Sequence, residues 1–466
     1  MAIKIQKGGW LLMFVIGLVL VGYGLHRYGL VDVSKLMPSG APASGNVILR
    51  IHGSNTIGAQ LVPALAEAFL RQRGATSIST TNTGPDTFVV RGTIDKPQAI
   101  EIAAHGSATA FTDLHANNCD VGAASRKIEV GEVASLSSLG DMTSAAAEHV
   151  LGLDGIAVIV NAGNSLRSLS KDDIRRIFSG EATDWQQVGR SDPGSIRVLA
   201  RDEKSGTWDT FKNLVLGATP LVSSAQRIED SRQLSDGVAA DPNAIGFVGL
   251  PFVRSAKALA VSDAGARPVF PTALTIGTED YPLSRRLYLY TSGTTQNQVA
   301  RDFVTFALSR AGQEIVTANG FVGQTVVPTQ PDAVALRQLE VVEAGGRYNR
   351  LISGAARLPL DFRFRTGSTT LDNKALDDLG RVSSFVSSSQ YAGQAIVLLG
   401  FADSSGSPQV NDELSKNRAG VVAEEFRSRG IKVAEVVGLG SERPVASNAT
   451  AEGRDKNRRV EVWLRR

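Results

Sequence analysis

Residues 200–211 read ARDEKSGTWDTF. The apolar run IRVLA (196–200) leading into this stretch has the character of a strand, and WDTFKNLVL (208–216) has helical spacing. Ser205-Gly206-Thr207 therefore stands where a helix begins, with Arg201 at the end of the preceding strand. Such a start presents unpaired backbone N–H groups and the positive end of the helix dipole, both suited to an anion. Gly206 lets the backbone come close, the two hydroxyls add donors, and Arg201 offers a forked cation for an oxyanion. Two more starts of this kind lie upstream, GSNTIG at 53–58 and HGSATAF at 105–111. Taken alone, each is more often an ordinary helix cap, worth about 1 kcal/mol. Together, three such starts can converge on one small tetrahedral ion.

The pattern around this stretch is repeated along most of the chain. From Val47 to about Val342, strand-like runs such as VILRI (47–51), IAVIV (156–160) and IGFVGL (245–250) alternate with amphipathic helical segments. That alternation is the signature of α/β architecture. After EAGGRYNRLISGAARLPL (343–360), which reads as a linker, the pattern changes. Strands are expected at FRFRT (362–366) and QAIVLLGF (394–401), and helices over 371–386 and 411–430, the second stopped by Gly430. KVAEVVGLG and RRVEVWL finish as strands, giving a βαβαββ order and a separate domain over 361–466.

With 466 residues the chain exceeds what one hydrophobic core organises. A formal charge of +3 is too small, on so long a chain, to make nucleic acid the main partner. The single cysteine, Cys119, excludes an internal disulfide and a cysteine-built metal site. Between Lys7 and Arg27 lie nineteen residues without a formal charge, GGWLLMFVIGLVLVGYGLH. As a helix they reach roughly 28 Å, close to the hydrocarbon thickness of a bilayer. Residues 1–31 are therefore expected to form a cytoplasmic tip and a transmembrane anchor in the inner membrane, with the rest exported. A cleaved signal peptide is the rival reading, with its nearest small-residue site in SGAPASG at 39–45. Residues 32–46, rich in Pro, Ser, Gly and Ala, read as a linker.

In the C-terminal domain, Asp403 follows a strand and Arg418 sits on the next helix, with Asn411 two turns before it. A carboxylate and a guanidinium held apart suit a zwitterion, one taking an ammonium and the other a carboxylate. A mutual salt bridge, worth about 0–1 kcal/mol if exposed, explains the same spacing. For catalysis, Ser205 would need a base beside it. The five histidines (His26, His52, His105, His115 and His149) come with no GxSxG, HExxH or paired-carboxylate motif, so no enzyme and no cofactor is expected.

RDEKSGTWDTF and SLSKDDIRRIFSGEATDW (168–185) resemble signature segments of the PstS-type phosphate-binding proteins. DPNAIGFVGL, YPLSRRLYLYT and AGQEIVTANGFVGQTVVP match further blocks of that family in the same order. The resemblance implies a two-lobed class II periplasmic-binding-protein fold over 47–342, closing on phosphate between its lobes. Lobe one would comprise about 47–155 and 282–330, and lobe two about 156–281. Family phosphate contacts carry over to Thr56, Ile57 (through its backbone), Ser107, Arg201, Ser205, Gly206 and Thr207. Ser125 takes the place where the best-known members have an aspartate that accepts a hydrogen bond from a protonated phosphate oxygen. A hydroxyl both donates and accepts, so discrimination against sulfate is expected to weaken.

GFADSSGSPQVNDELSKNRAGVVAEEF (400–426) and EGRDKNRRVEV are similar to the OmpA-like signature. This resemblance implies binding of the diaminopimelate of peptidoglycan through Asp403 and Arg418, with Asn411 and Arg459 lining or supporting the site. GFAD replaces the usual GHTD or GYTD, losing polar groups at Phe401 and Ala402, and Arg365 stands where acidic or polar residues are commoner. The expectation is a non-catalytic protein of the Gram-negative envelope that binds inorganic phosphate or a similar oxyanion and grips the wall. Soluble family members pass phosphate to an ABC permease, which makes a permease a candidate partner. The alternative is a structural wall tether whose PstS-like module is vestigial or an interaction domain.

Overall fold

A computed structural model describes residues 46–203, 205–293, 297–329, 346–365, 368–391 and 393–465. The expected anchor, and nearly all of the linker behind it, lie outside the described residues. Among those residues no helix is long and apolar enough to cross a membrane.

The first thirteen strands are β1 (Asn46–Gly53), β2 (Thr76–Gly84), β3 (Thr87–Ile94), β4 (Lys96–Ala103), β5 (Val121–Ala124), β6 (Glu148–Val160), β7 (Ser168–Ser170), β8 (Arg197–Arg201), β9 (Gln226–Ile228), β10 (Ala244–Gly249), β11 (Lys257–Ala258), β12 (Ala260–Ser262) and β13 (Ser284–Tyr290). Among the described residues most of them join one sheet, ordered β2-β3-β4-β1-β5-β13-β6-β10-β8-β9, with β11 also on β6.

β6 explains how one sheet serves two lobes. Its sequence, EHVLGLDGIAVIV, is apolar on both faces and buried almost throughout, as a strand covered on both sides must be. The first half, Glu148–Gly155, pairs antiparallel with β13. The second half, Ile156–Val160, pairs antiparallel with β10. Hydrophobic packing divides at the same place. Leu49, Leu65, Phe69, Ile100, Leu287 and Phe303 share one core, and Val158, Ile174, Phe178, Trp185, Phe211 and Phe247 share another. The helix Leu61–Gln72 shows why such segments dock: Leu61, Val62, Leu65, Ala66, Phe69 and Leu70 form its buried stripe.

The segment after β13 forms two helices, Gln298–Leu308 and Arg310–Ala318, because Ser309 leaves the helical conformation to cap the second through Gly312 N–H. The helix after Ser205 runs Gly206–Phe211 and then widens into a π turn over Lys212–Leu216.

The C-terminal domain adds β14 (Ala355–Arg363), β15 (Ala395–Gly400), β16 (Val433–Gly438) and β17 (Arg459–Arg465), ordered β14-β17-β15-β16. Helices Asn373–Val386 and Pro408–Ser428 cover the sheet, and a short helix, Ala451–Asn457, separates the last two strands. The core here gathers Leu358, Phe362, Leu379, Leu398, Val422 and Phe426. β14 begins inside the stretch read as a linker. Gly354 and Pro359 gave that stretch its linker look, yet Leu358 and Leu360 are buried in the domain's core.

Candidate functional site

The three Gly/Ser/Thr starts expected to converge are brought together. Gly106 N–H donates to Gly53 O at 2.8 Å, and Ser54 N–H to Ala123 O at 2.7 Å. The loops after β1, β4 and β5 therefore lie side by side. From the other lobe, Gly206 packs so closely on Thr56 that a Cβ added there would sit 2.7 Å from the Thr56 Cα. Any larger residue at 206 would push the lobes apart.

Between these elements opens a cavity of about 630 Å³, lined by Thr56, Arg201, Ser205, Gly206 and Thr207 among others. Ser54 and Ser205 cap their helices, each hydroxyl accepting from the N–H two residues on, at Thr56 and Thr207, at 3.2 Å. Ile57 is fully buried and is not part of the cavity wall. Ser107 and Ser125 are not part of the cavity wall, but their loops adjoin it. The Ser125 N–H donates to Ser107 Oγ at 3.0 Å, and the two hydroxyls are 3.1 Å apart.

Arg201 carries the cationic role. Its Nη1 donates to Ser231 Oγ, its buried Nε has no partner among the described residues, and Asp202 stands 3.8 Å away. Burial pulls its pKa below the ordinary arginine value, against the opposing pull of Asp202, Asp230 and Glu229. Those three acids and Asp154 also line the cavity. The cleft is thus no electropositive funnel, and an anion must be held by directed donors.

Sequence reading passed over Arg285. From β13 it donates through Nη2 to Thr56 Oγ1 at 2.8 Å and to Gly206 O at 3.4 Å, with Asp154 at 3.4 Å. It therefore ties together the two helix starts that face each other. The signal was present in YPLSRRLYLYT, where two adjacent arginines on a strand must face opposite sides. Among the described residues no histidine pairs with Ser205. His52 bonds Asp113 at 2.8 Å, and His105 bonds Pro85 O at 3.2 Å.

In the C-terminal domain, Asp403 sits at the start of the loop after β15, and Asn411 anchors that loop through Gly406 O at 3.2 Å. Asp403 is already engaged, by Arg458 Nη1 at 2.7 Å and by Ser405 N–H at 2.9 Å. Burial by itself would raise its pKa, but the hydrogen bonds from Ser405 and Arg458 win and hold it at about 2. Arg418 lies over the Phe364 ring at 5.8 Å, its buried Nε without a partner among the described residues, and burial lowers its pKa. The expected salt bridge from Asp403 thus goes to Arg458 rather than to Arg418.

Arg459, expected beside this site, faces elsewhere. It is buried against Glu461 at 2.9 Å, with Asp280 at 3.8 Å and the Phe401 ring 3.9 Å from its guanidinium carbon. Arg458 caps the helix Ala451–Asn457, whereas Arg459 is the first residue of β17. The same contact accounts for Phe401, which packs inward where the usual motif has a polar residue.

Comparison with known proteins agrees with this division. A family model described as a PBP superfamily domain matches residues 41–311, and the OmpA family model matches residues 363–458. The phosphate-binding protein PstS of Staphylococcus haemolyticus is 30% identical over 49% of this chain and 73% of its own length. PstS of Bacillus subtilis is 28% identical over 51% of this chain and 76% of its own. The structure of an ABC-type phosphate transport receptor from Vibrio cholerae superposes with a TM-score of 0.46 at 22% identity, covering 59% of this chain and 99% of that one.

Proposed function

The chain belongs to the PBP superfamily, as a PstS-like module joined to an OmpA-family domain, and from that premise we propose that it is an envelope protein binding phosphate in its cleft and peptidoglycan through its C-terminal domain. Proteins of these families bind rather than catalyse, and the chain is not an enzyme. The observation that carries the reading is the meeting of Thr56, Arg201 and Ser205–Thr207 around one cavity. Two helix starts facing each other, with the Arg201 guanidinium and the Thr56, Ser205 and Thr207 hydroxyls beside them, suit a small tetrahedral oxyanion. Ile57 would contribute backbone, and Ser107 with Ser125 would close the lobe-one side.

Peptidoglycan binding rests on Asp403 and Arg418, steadied by Asn411, with a diaminopimelate ammonium competing with Arg458 for the carboxylate. Arg459 serves the fold rather than this site. The location that follows is the periplasm, with the segment 1–31 as the inner-membrane anchor and uptake through an ABC permease or phosphate sensing as the role. A wall tether with a vestigial cleft is the competing reading, kept open by Ser125.

Calorimetry of phosphate into the protein, repeated with competing sulfate, tests the receptor half. Binding heat is expected, and its absence with every oxyanion tried leaves the tether. For the wall half, Asp403→Ala and Arg418→Ala should each abolish co-sedimentation with diaminopimelate-type peptidoglycan. Undiminished pelleting of the double variant refutes the assignment.

A further inference from the structure

Arg285 and Arg286 are neighbours on β13 and point to opposite sides of it. Arg285 reaches into the cleft, as described. Arg286 meets Glu279 at 2.8 Å and Asp372 at 2.8 Å. Glu279 belongs to lobe two, just before the chain crosses between lobes, whereas Asp372 caps the first long helix of the OmpA-family domain. Arg363, on β14 of that domain, returns to lobe two through Thr278 O at 2.9 Å, with Glu279 at 3.7 Å. Charges of alternating sign thus run from the OmpA-family domain to lobe one, to lobe two, and back.

The contacts around this chain of charges also reach both lobes. On the lobe-one side, Asn373 Nδ2 donates to Thr143 O at 2.9 Å and to Glu148 at 3.1 Å, and Arg381 to Gln324 at 3.0 Å. On the lobe-two side, Ser447 N–H donates to Asp263 at 3.1 Å. Pro359 O lies where a Gly277 Cβ would come within 2.7 Å, so the backbones themselves abut. Asn373, Glu148, Gln324 and Arg363 are all buried.

From this geometry we infer that the OmpA-family domain is a brace on the lobe crossing, holding the lobes at the angle that keeps Thr56 against Gly206. A cleft braced in that arrangement has less ordering left to do when an anion arrives, so its affinity depends on the docked domain. The affinity half of this inference rests on the phosphate reading of the cleft. The brace itself does not.

The test uses the full chain carrying Asp372→Asn with Asn373→Ala. Asparagine keeps an acceptor for the Ala375 N–H that Asp372 caps, while removing the charge facing Arg286. Nitroxides on Arg71→Cys and Gln186→Cys, one exposed site on each lobe, report the interlobe distance by pulsed EPR. Cys119 stays unlabelled, being buried with its thiol pushed up to about 12 by that burial. Without ligand, the variant should show a longer, broader distance than the parent, and its phosphate affinity should fall three- to tenfold. Asp263→Ala, which removes only a peripheral contact, should shift both in the same direction by less. An unchanged distance distribution in a folded double variant overturns the brace. A parent chain that binds no phosphate overturns the cleft reading instead, and the distance measurement still decides the brace.

Discussion

The cleft and the junction beneath it are both made of arginines and carboxylates, but they hold their charges differently. In the junction, half-buried Arg286 lies 2.8 Å from each of two carboxylates. In the cleft, Arg201 stands 3.8 Å from its nearest acid among the described residues and leans on a hydroxyl at the wall of an open cavity. Completed pairs fix geometry, and incomplete ones leave a place for a ligand. Removing a charge should therefore damage the fold in one region and recognition in the other.

The largest expected effect is on folding. Arg286→Ala leaves half-buried Asp372 without this arginine and Glu279 with Arg363 alone, at 3.7 Å, a loss on the order of 2–3 kcal/mol once partial exposure is allowed for. Denaturant unfolding should show it plainly, and a loss below about 1 kcal/mol would erase the distinction drawn above. Arg201→Ala should do the reverse. Phosphate affinity should fall by more than about tenfold, as for a charged hydrogen bond worth at least ~1.5 kcal/mol, while the melting temperature barely moves.

Acid sharpens the comparison further. Burial alone would raise the Glu279 pKa, but Arg286, Arg363 and Lys374 outweigh it and hold it at about 2. A depressed carboxylate contributes stability that is fully present above its ordinary value, about 4.3, and is lost as pH falls towards 2. The parent should therefore lose stability over that window more steeply than Glu279→Gln, measured by unfolding at a series of pH values. Equal slopes would show that Glu279 is not what ties the junction. The smallest effect belongs to Ser125→Asp. Restoring an acceptor there should weaken sulfate competition by a few fold with phosphate binding retained, and unaltered competition would remove Ser125 from the selectivity argument.

Much of this was legible in the chain because it is local. A strand end, a small flexible residue and a helix cap sit within a few positions of each other, so Arg201 and Ser205–Thr207 could be read directly. Facing was harder. Arg285 went unremarked and Arg459 was assigned to the wrong surface, because a strand's pleat gives alternation but not which side meets which neighbour. Ala355–Leu360 was hidden by composition, since Gly354 and Pro359 suggest a spacer while the buried leucines belong to a sheet. The domain junction had no sequence signal at all. Its arginines and carboxylates come from segments far apart, and only tertiary packing pairs them.

β6 has a mechanical consequence. Because a single strand carries hydrogen bonds for both lobes, rotation of one against the other is torsion within that strand, not sliding at a seam. The two halves meet at Gly155, where the Ile276 side chain fills the space a Cβ would take, 2.2 Å away at its nearest atom. Any side chain at 155 would wedge the bar at its midpoint. The angular travel of the lobes thus depends on the stiffness of this one strand as well as on the domain docked across the lobe crossing.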